Sequence, residues 1–233
     1  MLILLSGEAL ALAHSGAARV DPASQPREAE QRAENRVMQV LERIQQSLAH
    51  TSYSHTTRVN ERAGSYVFDC SGMTSWVLRR SAPRAHSAVL HSSRTKRPLA
   101  RDFYHRIAAT RPDKARWGWA RVARVEDALP GDVIAWLKPP EVRSANTGHV
   151  AFIVEPPRPV ADMPGAFLVR IADASSYQHE ADTRALSGTT GFGHGTILVQ
   201  ADLETGAPVA YGWFGRSSRW ILETKLAIGR PLH

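Results

Sequence analysis

Apolar residues recur at Ala33, Val37, Leu41, Ile44 and Leu48 among Glu, Gln and Arg, the spacing of a helix with one buried face. Ser24 is a good N-cap with Pro26 close behind, so this helix is predicted to run from Ser24 and to fill most of residues 21–50. Residues 50–68 lose the period and are rich in Ser, Thr, Arg and Asn, which predicts a loop with short extended pieces. The helical period returns at Met73, Trp76, Val77 and Arg80. With Asp69 and Ser71 as capping types, a helix is predicted to begin near Cys70. Residues 81–97 are polar and basic, with His86 and His91 and no clear period, and read as an exposed insertion. Leu99, Phe103 and Ile107 then predict a second short helix over about 99–109.

From Ala120 the period changes to two, with short apolar runs between turns. Leu129-Pro130-Gly131-Asp132 is a turn, and Val133–Leu137 is a buried strand that stops at Pro139-Pro140. Further strands are predicted at Gly148–Val154, Phe167–Asp173, Thr196–Ala201, Pro208–Trp213 and Trp220–Ile228. Pro156–Gly165 connects two of them, and Glu204-Thr205-Gly206 turns between two others. Helices first and strands afterwards indicate an α+β domain, with N-terminal helices packed on a central antiparallel sheet.

The chain has 233 residues and one cysteine, which excludes an internal disulfide and a cysteine-built zinc or iron–sulfur site. At 43% hydrophobic residues it is no disordered chain, and no internal apolar run is long enough for a multispanning membrane protein. The net charge is +7, and all the basic residues but Lys96, Lys114, Lys138 and Lys225 are arginine. Arginine suits anionic partners, but these are scattered and no nucleic-acid motif accompanies them, so no nucleic acid is expected as a partner. Residues 1–20 hold Leu2-Ile3-Leu4-Leu5 and small-x-small sites at 11–13 and 16–18. They read either as a secretory signal, with export to the periplasm or cell exterior, or as a disordered N-terminus.

Cys70 at a helix N-terminus meets unpaired N–H groups and the positive end of the dipole, both of which favour a thiolate. The alternative is a buried cysteine that only fills space. On the strands, His149 shares a face with Ala151 and Ile153, and Asp173 with Phe167, Val169 and Ile171. An antiparallel register placing 149 opposite 173 makes the two neighbours, and a carboxylate on an apolar face needs such a partner. Otherwise Asp173 is a turn residue ahead of Ser175-Ser176. His194, between Gly193 and Gly195, reads as an exposed turn histidine that is a spare candidate for the base.

Asp69-Cys70-Ser71-Gly72, Leu129-Pro130-Gly131-Asp132-Val133 and Gly148–Val154 resemble, in order, the three main motifs of the NlpC-type cell-wall cysteine peptidases. The resemblance implies a papain-like α+β fold over residues 51–233. It also implies hydrolysis of an amide bond in peptidoglycan stem peptides, between D-γ-glutamate and a diamino acid, without metal or cofactor. It makes Cys70 the nucleophile, His149 the general base and Asp173 the third polar residue, a place more often held by His. Tyr53 becomes the oxyanion helper, with Tyr66 its rival because the glycine-rich stretch usual after that tyrosine is missing. Asp69 and Ser71 become groove-lining residues. A monomer with no membrane span is expected. Two alternatives are a catalytically silent wall-binding or regulatory protein of the same fold, and an amidase or acyltransferase acting on another substrate.

Overall fold

The computed structural model describes residues 35–93, 95 and 97–232. The expected segment 1–20 and the start of the predicted N-terminal helix lie outside them. The first described helix, α1 (Arg36–Ser47), begins at a true cap: Asn35 is extended, and its side-chain oxygen accepts the Val37 and Met38 N–H groups. The described helix therefore starts at this cap, and the part of the predicted helix before Asn35 lies outside the described residues. Its buried face is Val37, Val40, Leu41 and Ile44, as the spacing requires.

Strands β1 (His50–Tyr53), β2 (Arg58–Asn60) and β3 (Ser65–Phe68) form a small sheet in the order β1-β3-β2, with β1 and β3 parallel. Helix α2 (Cys70–Ser81) follows directly, capped by Asp69 through the Gly72 N–H. Residues 83–92 are not an exposed insertion. They form a helix, α3 (Pro83–Ser92), with Pro83 in its first turn and with Ala85 and Val89 wholly buried. The small Ala82, Ala85 and Val89 supply a helical stripe that the surrounding basic residues hide from a hydropathy reading. Helix α4 (Ala100–Ala108) buries Phe103 and Ile107 as predicted.

The remaining strands are β4 (Trp119–Val122), β5 (Val133–Leu137), β6 (Gly148–Ile153), β7 (Arg158–Pro159), β8 (Ala166–Ser175), β9 (Gly191–Ala201), β10 (Pro208–Gly212), β11 (Leu222–Glu223) and β12 (Leu226–Pro231). They make one sheet, in the order β11-β10-β9-β8-β6-β5-β12-β4 with β7 on β8, and every pairing in it is antiparallel. The fold is α+β.

One face of the sheet, with Val133, Ala135, Val150, Phe152 and Ala172, packs with the helices. The other, with Ile134, Trp136, Ala151, Ile153 and Ile171, buries a second cluster. The rings of Trp136 on β5 and Tyr211 on β10 lie 4.9 Å apart, although three strands separate them in the sheet. At about 4.8 Å per strand a flat sheet cannot bring them together. The sheet therefore curls, and its concave face carries this second cluster.

Leu129-Pro130-Gly131-Asp132 ties these layers together. Asp132 accepts the Leu129 N–H and a two-pronged bond from Arg230, while Asn35 donates to the Pro130 carbonyl. Burial pushes the Asp132 carboxyl up despite the Arg230 guanidinium. Truncation of Phe103 to Ala tests the helix-to-sheet packing: chemical denaturation should show a loss of about 3–5 kcal/mol, the range for a buried Phe.

Candidate active site

Strands β6 and β8 pair at Phe152 with Ala172 and at Ile153 with Ile171. Extended along the strands, this register is two residues away from the one that sets 149 opposite 173. A shift of two preserves the side-chain faces, so His149 and Asp173 still meet, now on the diagonal, with Nε2 to Oδ2 at 2.7 Å. Toward the start of β6 the pairing with β8 gives out, and Val150 donates its N–H to the Cys70 sulfur instead. The parting of the two strands thus admits the N-terminus of α2. Gly148 opens β6 at φ +144°, and a Cβ there would lie 1.9 Å from the Trp136 carbonyl oxygen, so a side chain would block the approach of β5.

Asp173 is wholly buried. Its Oδ2 accepts from His149 Nε2 at 2.7 Å and from His179 Nε2 at 2.9 Å, and its Oδ1 accepts from the Arg184 guanidinium at 2.9 Å. Burial alone would raise its pKa, but the His179 charge, the two imidazole bonds and Arg184 hold the carboxyl well below the usual carboxylate range. His179 meets acceptors at both nitrogens, since Nδ1 lies 3.1 Å from the Trp213 carbonyl oxygen. The ring is thereby held at both ends. Asp182 supports this arrangement: it accepts the His179 N–H and three bonds from Arg184, whose remaining nitrogen reaches the Gly191 carbonyl.

His194 does not sit in a turn. Gly193-His194-Gly195 lies within β9, and the two glycines leave room on one face. A Cβ at 193 would meet Arg184 at 2.6 Å, and one at 195 would meet His179 at 2.5 Å. His194 itself points away from this network, half-buried, with its pKa lowered to about 4 by burial and by Arg170.

His149 is clamped between Trp136 and Trp213, each with its ring centre 5.0 Å away. Burial lowers its pKa and Asp173 partly restores it. The neutral ring therefore donates from Nε2 to Asp173 and leaves Nδ1 as the basic nitrogen. Cys70 is the first residue of α2, as predicted, but its thiol is not activated at rest. Burial, together with the charges of Asp69 and Asp173, pushes it up to about 12, against the Val150 and Ser71 N–H groups. The helix dipole does not lower it, because burial and the charges of two carboxylates outweigh the first-turn N–H groups.

Tyr53 ends β1 beside this site. Burial and the nearby Cys70 and Asp69 charges push its hydroxyl well up, so it remains a donor. Tyr66 points elsewhere: it is buried against Trp76 with its hydroxyl 2.8 Å from that of Ser47. Asp69 and Ser71 are already engaged. Asp69 accepts from Gly72, Ser71, His55 and Arg97, and although burial works the other way, His55 and Arg97 keep its carboxyl below its ordinary value.

The ligand atoms of His149, Asp173 and His179 lie within 4.8 Å of one another, the spacing of a metal site. Hydrogen bonds already account for it, and the Arg184 guanidinium on the same carboxylate disfavours an added cation. His179, Asp182 and Arg184 escape the sequence reading because they follow β8 in a mixed polar run that looks like an ordinary loop. Only the paired glycines, two apart in β9, mark from afar the space they occupy.

No family model matches the chain, and no solved structure matches it. It is similar to an uncharacterized protein of Acanthamoeba polyphaga mimivirus, at 26% identity over 216 residues, which cover 82% of this chain and 92% of that one. Among the described residues, no helix is long and apolar enough to cross a membrane.

Replacing Asp173 by Ala should cost about 3–5 kcal/mol at pH 7, because the buried Arg184 guanidinium loses one of its two carboxylate partners and two buried imidazoles lose an acceptor. Asp173 has a depressed folded pKa, so its contribution is present above the unfolded value near 3.8 and is lost as pH falls below it. Denaturation of wild type and Asp173→Asn should therefore show a difference that shrinks as pH falls below about 4. A difference that stays undiminished down to about pH 2 would refute this assignment.

Proposed function

We propose that the protein is a cysteine hydrolase of papain-like fold that cleaves an amide bond in peptidoglycan stem peptides, between D-γ-glutamate and a diamino acid. The observation that carries the reading is an imidazole, His149, whose Nε2 is fixed by the buried Asp173 carboxylate, with the Cys70 sulfur held by the N–H of the next residue, Val150, and within reach of the Asp173 charge. In this reading His149 Nδ1 takes the Cys70 proton as the sulfur bonds to the carbonyl carbon, so thiolate and imidazolium form together on attack. Asp173 holds the tautomer and stabilises the imidazolium. The Cys70 N–H, at the helix start, and the Tyr53 hydroxyl serve the oxyanion. The C–N bond then breaks as His149 returns the proton to the leaving amine, and water hydrolyses the thioester by the same base. An exported enzyme fits a wall substrate.

A second reading, an amidase or acyltransferase on another substrate, is favoured by one observation. Asp69 and Ser71, the residues matched to the substrate groove, are tied up by Arg97 and His55, and a cationic group on the substrate would have to displace a guanidinium.

Digestion of isolated peptidoglycan, followed by mass spectrometry, separates the readings. Wild type should release new stem-peptide ends. Cys70→Ala should abolish release, and His149→Ala should slow it at least ~10³-fold. Walls left intact by wild type, with amidase activity on acyl donors of other classes, would move the assignment to the second reading. The pH profile is a further check. The base must be neutral to act, and its pKa lies below 6.5, so kcat/KM should be level at neutral pH and fall only on the acid side of 6.5. With the thiol near 12, no alkaline decline from Cys70 ionisation is expected up to about pH 9.

A further inference from the structure

Across the molecule from the concave face, a cavity of about 660 Å³ opens between α4 and the turn at Arg116–Trp119. Three guanidiniums line it, from Arg101, Arg106 and Arg116. None of the three meets a carboxylate among the described residues. The one acid in the wall, Asp102, is already spent on the Leu99 N–H and the Ser93 hydroxyl. Arg106 Nε is buried without any hydrogen-bond partner. Burial and the neighbouring Arg116 charge together lower the Arg106 pKa, the mark of like charges held close without an anion between them.

The turn that presents Arg116 is built to keep this arrangement. Arg116 and Trp119 exchange two backbone hydrogen bonds around Trp117 and Gly118, and Trp119 Nε1 donates to the Ala85 carbonyl on α3. Trp117 adopts φ +53°, a left-handed conformation that bulky residues rarely take, and stays 42% exposed. Its ring supports both cations, with the guanidinium carbons of Arg116 and Arg106 at 3.7 and 4.6 Å from its centre. Backbone strain, an exposed aromatic and unpaired arginines at one place are each unfavourable for folding, and an anionic ligand would relieve the last of them.

We infer that this cavity binds a phosphorylated small molecule, its phosphate among Arg101, Arg106 and Arg116 and its organic part against Trp117. Planar guanidinium forks match the paired oxygens of a phosphate, and the volume lies within the range of small-molecule sites, well beyond the size of a bare ion. The inference is independent of the chemistry at Cys70.

Calorimetric titration of the full chain with sodium pyrophosphate and with adenosine diphosphate, at low and moderate salt, tests it. Saturable one-to-one binding is expected, weaker at higher salt and at least about ten-fold weaker in the Arg106→Gln/Arg116→Gln variant. Arg111→Gln, which breaks only a surface pair with Asp113, should bind as wild type does. Circular dichroism checks the fold of each variant. If the double variant does not fold, Arg101→Gln on the exposed rim replaces it, with the same expected weakening. Absence of saturable binding by either anion, or binding indifferent to these arginines, would overturn the proposal. So would much tighter binding of a 20-nucleotide single strand through the same arginines, since that identifies a nucleic-acid surface instead.

Discussion

A carboxylate with no exposed surface sits at the centre of this molecule, and the surrounding architecture serves to keep it charged. Asp173 survives burial because two imidazoles and one guanidinium converge on its two oxygens. An isolated ionised carboxyl there would instead be driven to its neutral form. The requirement propagates outward. Arg184 needs Asp182 and the Gly191 carbonyl, His179 needs the Trp213 carbonyl and the Asp182 bond to its own N–H, and both need the missing side chains at 193 and 195.

The same constraint explains how chemistry from opposite faces of one sheet meets. Helix α2 lies with the helical layer and His149 on the concave side. The Cys70 sulfur reaches β6 at Val150, the residue after His149, because β6 and β8 stop pairing before β6 reaches its first residues, which frees the Val150 N–H for a sulfur atom. Asp173 bridges this parting from the β8 side. A fully zipped sheet would use the Val150 N–H in its own ladder and close the gap that the Cys70 sulfur occupies.

Much of this was legible in residue patterns. The faces of α1 and α4, the start of α2 at Cys70, the strands at 133–137, 148–154 and 167–173, and the shared face of His149 and Asp173 all follow from capping and from local periods of 3.6 and 2, whereas α2 is buried nearly all round and leaves the predicted Arg80 exposed. The two-residue difference in register was harmless because a shift of two keeps every side chain on its face. Helix α3 hides from a hydropathy pattern because only Ala85 and Val89 form its buried stripe, and His194 reads as a turn residue because glycines that make room in a strand look the same as glycines that turn a chain. Among the residues with chemical promise, Tyr53 stands beside Cys70 while Tyr66 is used up by Ser47.

Residue order alone carries the class of the fold and the candidate residue types, because capping, periodicity and turn chemistry are properties of neighbours along the chain. It could not determine the protonation of those residues. The resting thiol of Cys70, the neutral His149 and the doubly bonded His179 depend on which charges lie within a few ångströms and on how far water is excluded. Both depend on segments distant in sequence: the 179–184 turn, the β9 glycines and the curl that brings Trp213 onto His149. Electrostatic energy falls with distance in space and with solvent access, and only the tertiary structure sets either one.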